Sequence, residues 1–249
     1  MPVRALILGG TGEARSLATT LAGERGLEIV SSLAGRVRAP QLPPGEVRIG
    51  GFGGTAGLQE WLRDNAIDVV VDATHPFAAQ VTQHSVDAAA ELGLPIVVLR
   101  RSPWIEDAGD RWAHVPSVAA AVDALPGLGT RVFSTIGRQS VAAFVDAADI
   151  WFLIRAIDPP DGPLPPNAEL LLERGPFDVQ HEAELLDRHR IDLLLTKNSG
   201  GDQTVAKLSA ARAAGVRVLM IDRPPLPAGV ETVESVAAAH EWLRRLLAS

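Results

Sequence analysis

The feature that most constrains this chain is that it repeats itself. Ile67-Asp68 and the apolar run 69–71 lead into Asp72-Ala73-Thr74-His75-Pro76. Ile191-Asp192 and the apolar run 193–195 lead into Thr196-Lys197-Asn198-Ser199-Gly200. Gly93-Leu94-Pro95 before the run 96–99 returns as Gly215-Val216-Arg217 before the run 218–221. Ser117-Val118-Ala119-Ala120-Ala121 returns as Ser235-Val236-Ala237-Ala238-Ala239, and 4–8 running into Gly9-Gly10 returns as 131–135 running into Ile136-Gly137. The pairs keep their order, offset by about 118–127 residues. One such match is what any two apolar strands show; four in register mark a repeat. Two similar domains are expected, residues 1–127 and 128–249, of ordinary domain size. The joint is expected at the loop-like Pro126-Gly127-Leu128-Gly129.

Each repeat alternates short apolar runs with helical patterns. Strands are expected at 3–8, 28–32, 68–72, 96–99, 131–135, 151–154, 169–173, 192–196 and 217–221. Helices are expected at 12–23, 55–64, 77–92, 117–125, 138–147, 178–189, 203–214 and 235–248. Uninterrupted apolar runs suit strands buried on both faces, and their alternation with helices argues for parallel βαβ units. The fold class expected is α/β: two tandem Rossmann-like, doubly wound domains with mostly parallel sheets. Two further short strands, 113–115 and 230–233, end the repeats, and the sequence does not assign either to a sheet. The proline-rich stretch 158–166 reads as a loop.

Composition removes whole chemistries. The 249 residues contain no cysteine, which excludes disulfides, thiolate nucleophiles and Cys-based metal sites. The absence of tyrosine removes the phenolic proton donor of many short-chain dehydrogenases. A net charge of -7 argues against a nucleic-acid partner. No apolar run approaches the ~20 residues of a membrane span, and the N-terminal one is too short for a signal peptide, so no membrane partner and a cytoplasmic location are expected. The G-x-x-x-x-G-K-[ST] and G-x-S-x-G motifs are missing, and Leu185 and Arg244 stand where zinc-protease helices need a second His.

The first strand ends in Gly9-Gly10-Thr11-Gly12-Glu13-Ala14-Arg15. A tight glycine turn lets the backbone approach a pyrophosphate at a helix N-terminus. Gly10 and Gly12 fill the first two glycine positions of the dinucleotide fingerprint; Arg15 stands at the third, which predicts looser packing of helix on strand. An NAD site needs an acid at the end of the second strand. None occurs from 29 to 45, where the chain reads Ser31-Ser32-Leu33-Ala34-Gly35-Arg36-Val37-Arg38. Arg36 or Arg38 would suit a ribose 2′-phosphate, so the expected cofactor is NADPH. A second glycine cluster, Gly50-Gly51-Phe52-Gly53-Gly54, either covers the cofactor or is a plain turn. Asp72, Ala73, Thr74 and His75 lie at the end of the strand expected at 68–72, at the edge where ligands of open α/β sheets bind.

The second repeat places Gly137, Arg138, Arg155, Arg174 and Lys197 at or near strand ends. Lys197-Asn198-Ser199-Gly200-Gly201 is the counterpart of the polar loop at 72–76, and Lys197 and Lys207 are the only lysines of the chain. These cations would make a positive substrate site on an acidic protein.

Taken together, the segments 9–15, 32–36, 50–54, 72–78 and 196–201 resemble the precorrin-6A reductase family of cobalamin biosynthesis, over nearly the whole chain. The resemblance implies NADPH-dependent reduction of one double bond of the precorrin-6A macrocycle, giving precorrin-6B. It implies two Rossmann-like domains, the first for the cofactor and the second for a polycarboxylate tetrapyrrole held in the cleft between them, with no metal site in the protein. Cofactor contacts are then expected at Gly9, Gly10, Thr11, Gly12, Glu13, Ala14, Ser32, Leu33, Ala34, Gly35, Arg36, Arg38, Gly51, Gly53, Ala73 and Thr74. Substrate contacts are expected at Gly137, Arg138, Arg155, Arg174, Lys197, Asn198, Ser199, Gly200, Gly201 and Lys207. His75, Asp72 or Lys197 would supply or relay a proton. Hand-over of product to neighbouring pathway enzymes is compatible with this reading. Two others stay open: a reductase of a small imine or enamine, and a non-catalytic module that binds NADP or a tetrapyrrole.

Overall fold

The computed structural model describes residues 2–35 and 40–248. The chain forms two compact units, Met1–Ser102 with Pro224–Ser249, and Pro103–Arg223. The first carries β1 (Val3–Leu8), α1 (Gly12–Leu21), β2 (Leu27–Leu33), β3 (Glu46–Ile49), α2 (Thr55–Asp64), β4 (Val69–Asp72), α3 (Ala79–Leu92) and β5 (Ile96–Leu99). The second carries β6 (Trp112–Val115), α4 (Val118–Ala124), β7 (Arg131–Ser134), a 3-10 helix (Arg138–Phe144), β8 (Trp151–Ala156), β9 (Ala168–Leu172), α5 (Val179–Arg188), β10 (Leu193–Lys197), α6 (Ala206–Ala214) and β11 (Arg217–Ile221). The chain then returns to the first unit with β12 (Glu231–Val233) and α7 (Val236–Ala248).

Each sheet has six strands, and every described pairing is parallel. The first runs β3-β2-β1-β4-β5-β12 and the second β9-β8-β7-β10-β11-β6. Both have the doubly wound order 3-2-1-4-5-6 of dinucleotide-binding folds. The sixth strands are exchanged: β6 follows the first repeat but pairs with β11, and β12 follows the second but pairs with β5. The expected joint at 126–129 is therefore corrected. That loop lies inside the second unit, because strand–helix pairs β6–α4 and β12–α7 each complete the other repeat's sheet.

Equivalent positions do equivalent work in the two repeats. Asp68 Oδ2 accepts the Arg4 amide at 2.8 Å, and Asp192 Oδ1 accepts the Arg131 amide at 2.9 Å. Gly93 and Gly215 close α3 and α6 in the left-handed conformation, both at φ 66°. Ser117 and Ser235 accept the amides of Ala120 and Ala238 at the starts of α4 and α7, 3.1 Å in both.

Three expectations differ from the structure. β3 was not expected: it has four residues, and Glu46 and Ile49 at its ends are exposed, so little apolar signal announces it. The helix after Gly137 is a 3-10 helix, Arg138–Phe144, with Val141 and Phe144 buried. Packing of α1 on β1 is close rather than loose. A Cβ on Gly9 would lie 3.4 Å from the Ala14 Cβ, and Ala14 is buried, so these two small residues supply the approach assigned to the third glycine.

In the first unit, Ala5, Ile7, Val69, Val71 and Val97 point to one face of the sheet, under α1 and α7. Trp242 and Leu243 of α7 are buried there against Leu17 and Leu21 of α1. Trp242→Ala is expected to lower unfolding free energy by about 3 kcal/mol. Amide exchange should rise first in α1 and β5 and not in β10 or β11, which urea titration with exchange mass spectrometry would check.

Candidate functional site

In parallel sheets the loops that follow the strands gather at one edge, and both repeats bring their polar segments there. In the first unit, Gly9 N–H donates to the Ser32 carbonyl at 2.9 Å, and Gly10 has φ +112°, a conformation that L side chains rarely adopt. A Cβ added at Gly10 would meet nothing within 4 Å, so the space over the turn is open. Thr11 caps α1: its Oγ1 accepts the Ala14 amide at 3.1 Å and donates to the Ala73 carbonyl at 2.8 Å. One hydroxyl thus ties the glycine turn to the end of β4. Glu13, in the first turn, pairs with Arg101 Nη1 at 2.7 Å, which offsets an acid beside an anion-favouring helix end. Arg101, from the segment after β5, is a residue the sequence reasoning missed.

A pyrophosphate fits this place. Its requirements are a glycine that opens the turn, close packing of α1 on the strand and a capped helix N-terminus, and all three are present. Ser32 and Leu33 end β2 buried, and Gly35 follows at φ +70°. Arg36 and Arg38 lie outside the described residues. Gly51 and Gly53 belong to the loop between β3 and α2, where Gly51 presents its carbonyl to Arg48.

Asp72 is 1% exposed at the end of β4. Its Oδ1 accepts both the amide (2.9 Å) and the hydroxyl (2.7 Å) of Thr74, and its Oδ2 is buried without a hydrogen-bond partner. The carboxylate therefore holds Thr74 in place from beneath. His75 is exposed, and its Nδ1 accepts the Phe77 amide at 3.3 Å.

In the second unit several expected substrate contacts have other work. Arg155 is 7% exposed; its Nη2 donates to Glu182 Oε1 at 2.8 Å, and its guanidinium lies 3.7 Å from the centre of the Phe177 ring. Asn198 spends its amide on Trp104, accepting its N–H at 2.8 Å and donating to its carbonyl at 3.1 Å. Lys207, 5% exposed, places Nζ 4.9 Å from the centre of the Trp104 ring. Trp104, which also donates from Nε1 to the Gly201 carbonyl at 2.9 Å, is the second residue missed. These partners meet only in the folded chain, so spacing carried no signal of them.

The other expected contacts lie at the open edge. Gly137 (φ +83°) precedes Arg138, whose Nη1 approaches Asp161 at 3.2 Å. Gly200 and Gly201 have φ of +65° and +75° after Ser199. Arg174 lines a cavity of about 350 Å³ with Glu173, Pro176, Phe177, Asp178 and His181. Lys197 ends β10 and donates from Nζ to Ser140 Oγ at 3.1 Å. Burial pushes its pKa below the ordinary lysine value.

Two doubly wound parallel sheets, the first with an open glycine turn at the start of its first helix, define a Rossmann-like α/β protein. Among proteins of known type, residues 4–244 match the family model described as "Precorrin-6x reductase CbiJ/CobK". The chain is 60% identical to the "Precorrin-6A reductase" of Rhodococcus erythropolis, covering 98% of both chains. It is 53% identical to the "Precorrin-6A reductase" of Mycobacterium tuberculosis (strain ATCC 25618 / H37Rv), again covering 98% of both. A solved structure titled "CobK precorrin-6A reductase" superposes with a TM-score of 0.91 at 47% identity, covering 98% of this chain and 96% of that one. The chain belongs to the precorrin-6x reductase family and is a reductase. That family implies a nicotinamide cofactor. Among the described residues, no helix is long and apolar enough to cross a membrane.

Thr11 carries the tie between turn, helix and β4. Thr11→Val is expected to cost about 2 kcal/mol of stability through the lost cap and the stranded Ala73 carbonyl. Its affinity for a dinucleotide should fall by a larger factor than its urea midpoint suggests, which calorimetric titration would check.

Proposed function

We propose that this protein reduces one double bond of precorrin-6A with NADPH, giving precorrin-6B in corrin-ring synthesis. The observation that carries this reading is the open glycine turn at the N-terminus of α1, set beside a β2 end without an acid, in a chain of this family. The first unit is the dinucleotide-binding one. Gly9, Gly10, Thr11, Gly12 and Ala14 would hold the pyrophosphate through backbone amides and the helix end, and Glu13 would be kept neutralised by Arg101. The second unit is the substrate-binding one. Its glycine turn is single, at Gly137, and its edge carries the cations suited to a polycarboxylate.

The roles of these cations divide by burial. Arg155, Asn198 and Lys207 build the wall of the site, since their polar atoms are turned to Glu182 and Trp104. Arg138, Arg174, Ser199 and Lys197 are the side chains suited to orient carboxylates of the macrocycle, and orientation is what a hydride acceptor most needs. A bound dihydronicotinamide supplies a hydride, and one proton completes the two-electron reduction. Asp72 acts as a positioning residue through Thr74. His75 is exposed and Lys197 partly so, and these are the two groups fitted to supply the proton.

A direct test mixes protein, NADPH and synthesised precorrin-6A, and follows absorbance at 340 nm together with the macrocycle spectrum. Binding without NADPH oxidation would sink the enzymatic reading, and equal use of NADH would sink the cofactor choice. If Lys197 is the donor, the active form is the ammonium, which is lost as pH rises. Because burial lowers its pKa, the single-turnover rate should begin to fall at a pH below the ordinary lysine value of about 10.4. Lys197→Met should abolish that limb and slow reduction by about a hundredfold. A wild-type rate that stays flat up to that value would exclude Lys197 as donor.

A further inference from the structure

The tips of β2 and β3 carry a cation that the reading above does not use. Arg48 lies opposite Ser32 in the parallel register of the two strands. Its Nη1 lies 3.4 Å from Ser32 Oγ and donates to the Gly50 carbonyl at 2.5 Å, while Nη2 donates to the Gly51 carbonyl at 2.7 Å. The guanidinium carbon lies over two aromatic rings, 3.8 Å from the centre of Phe52 and 5.7 Å from that of Trp61. Among the described residues no carboxylate pairs with it. The nearby acid on its own strand, Glu46, is bonded to Arg4 at 2.6 Å. Burial pushes the Arg48 pKa below its ordinary value, the mark of a cation that has lost water and gained no anion.

The place is as specific as the charge. Gly35, just past β2, is packed against the end of β3; a Cβ there would lie 3.3 Å from Ile49 Cγ2. The two strand tips are thereby drawn together around Arg48. In doubly wound folds the end of the second strand faces the ribose of the adenosine half, where an acid binds a free 2′-hydroxyl and an arginine accommodates a 2′-phosphate. Here that end supplies Ser32, a hydroxyl, with a half-buried arginine beside it.

We propose that Arg48, with Ser32 as its hydroxyl partner, is the residue that recognises the 2′-phosphate and sets the preference for NADPH over NADH. The assignment rests on the first unit being the dinucleotide-binding one. A phosphate dianion would supply the missing countercharge, and arginine retains further N–H donors beyond the two given to the glycine loop. The carbonyls of Gly50 and Gly51 hold the fork in place, so little freedom is lost on binding.

The test compares 2′,5′-ADP with 5′-ADP by calorimetric titration, on wild type, Arg48→Gln and Arg48→Lys. Wild type should prefer 2′,5′-ADP. Arg48→Gln should lose about tenfold or more of that preference, the scale of one charge-assisted bond, while affinity for 5′-ADP changes by less than about threefold. Arg48→Lys should keep part of the preference, and serves alone if Arg48→Gln does not fold. An equal loss for both ligands would mean that Arg48 only clamps the glycine loop, and would overturn the proposal. An unchanged preference in both variants would overturn it too. A wild type that does not distinguish the ligands would instead remove the NADPH reading itself, and the role of Arg48 with it.

Discussion

The rest of the architecture depends on one backbone constraint: a parallel strand cannot be finished by a hairpin. Each new strand must arrive after a crossover, from the same end of the sheet. After β5 the chain does not cross back to add a sixth strand beside it. It continues to β6, which pairs with β11 of the other repeat, and the place beside β5 is filled by β12. Arg100 N–H donates to the Val233 carbonyl at 2.9 Å, and Asp222 N–H to the Val115 carbonyl at 2.8 Å, so both exchanges are secured by equivalent bonds. The consequence is energetic. Neither repeat, cut at its sequence boundary, holds its own edge strand, and the first would also lose Trp242 and Leu243 from its core.

On this common backbone the two carboxyl edges have diverged in chemistry. The first is lined largely by main chain: the Gly9–Gly10 turn, the capped start of α1, and Thr11 bonded to Ala73. Such a lining suits a ligand recognised by its phosphates, since a glycine turn admits it to within bonding distance of amides. The second edge is lined by side chains that are themselves fastened. Arg155–Glu182 is the costliest case, a buried pair with Arg155 Nη1 and Glu182 Oε2 left without hydrogen bonds. A buried pair of this kind contributes little net stability, but removing one member strands the other. Its value here is geometric: it fixes β8 to α5 and presents Phe177 beside the cavity that Arg174 lines.

The repeat was legible because its signals are local. Apolar runs, an Asp before one run of each repeat, and a Gly or Ser at helix ends each act within a few residues, and the paired bonds of Asp68 and Asp192 are what those letters encode. The sheet membership of β6 and β12 was not legible, because three or four residues of strand carry no information about which edge they will meet. The glycine turn and the polar ends of β4 and β10 were legible as site material, since polar residues directly after a buried strand have few other reasons to be there. What each does was harder to read. Asp72 serves Thr74, and Asn198 serves Trp104, through bonds that form only once loops have closed. Arg48 and Arg101 went unread for the same reason: among many arginines, only folding shows that Glu13 takes Arg101 and that no described carboxylate takes Arg48.

The charge of the whole chain and the charge of its sites are therefore separate quantities. A net charge of -7 would repel a polycarboxylate if spread evenly. At the second edge, however, the cations are held with unequal firmness. Arg155 is locked to an acid that is itself 1% exposed, and exchanging that partner for a substrate carboxylate would leave Glu182 buried and alone. Arg138 is paired with Asp161, whose side chain is 78% exposed. That acid returns to water at little cost, since surface pairs contribute about 0–1 kcal/mol. On the proposed function, a substrate carboxylate would displace Asp161 from Arg138 far more readily than Glu182 from Arg155.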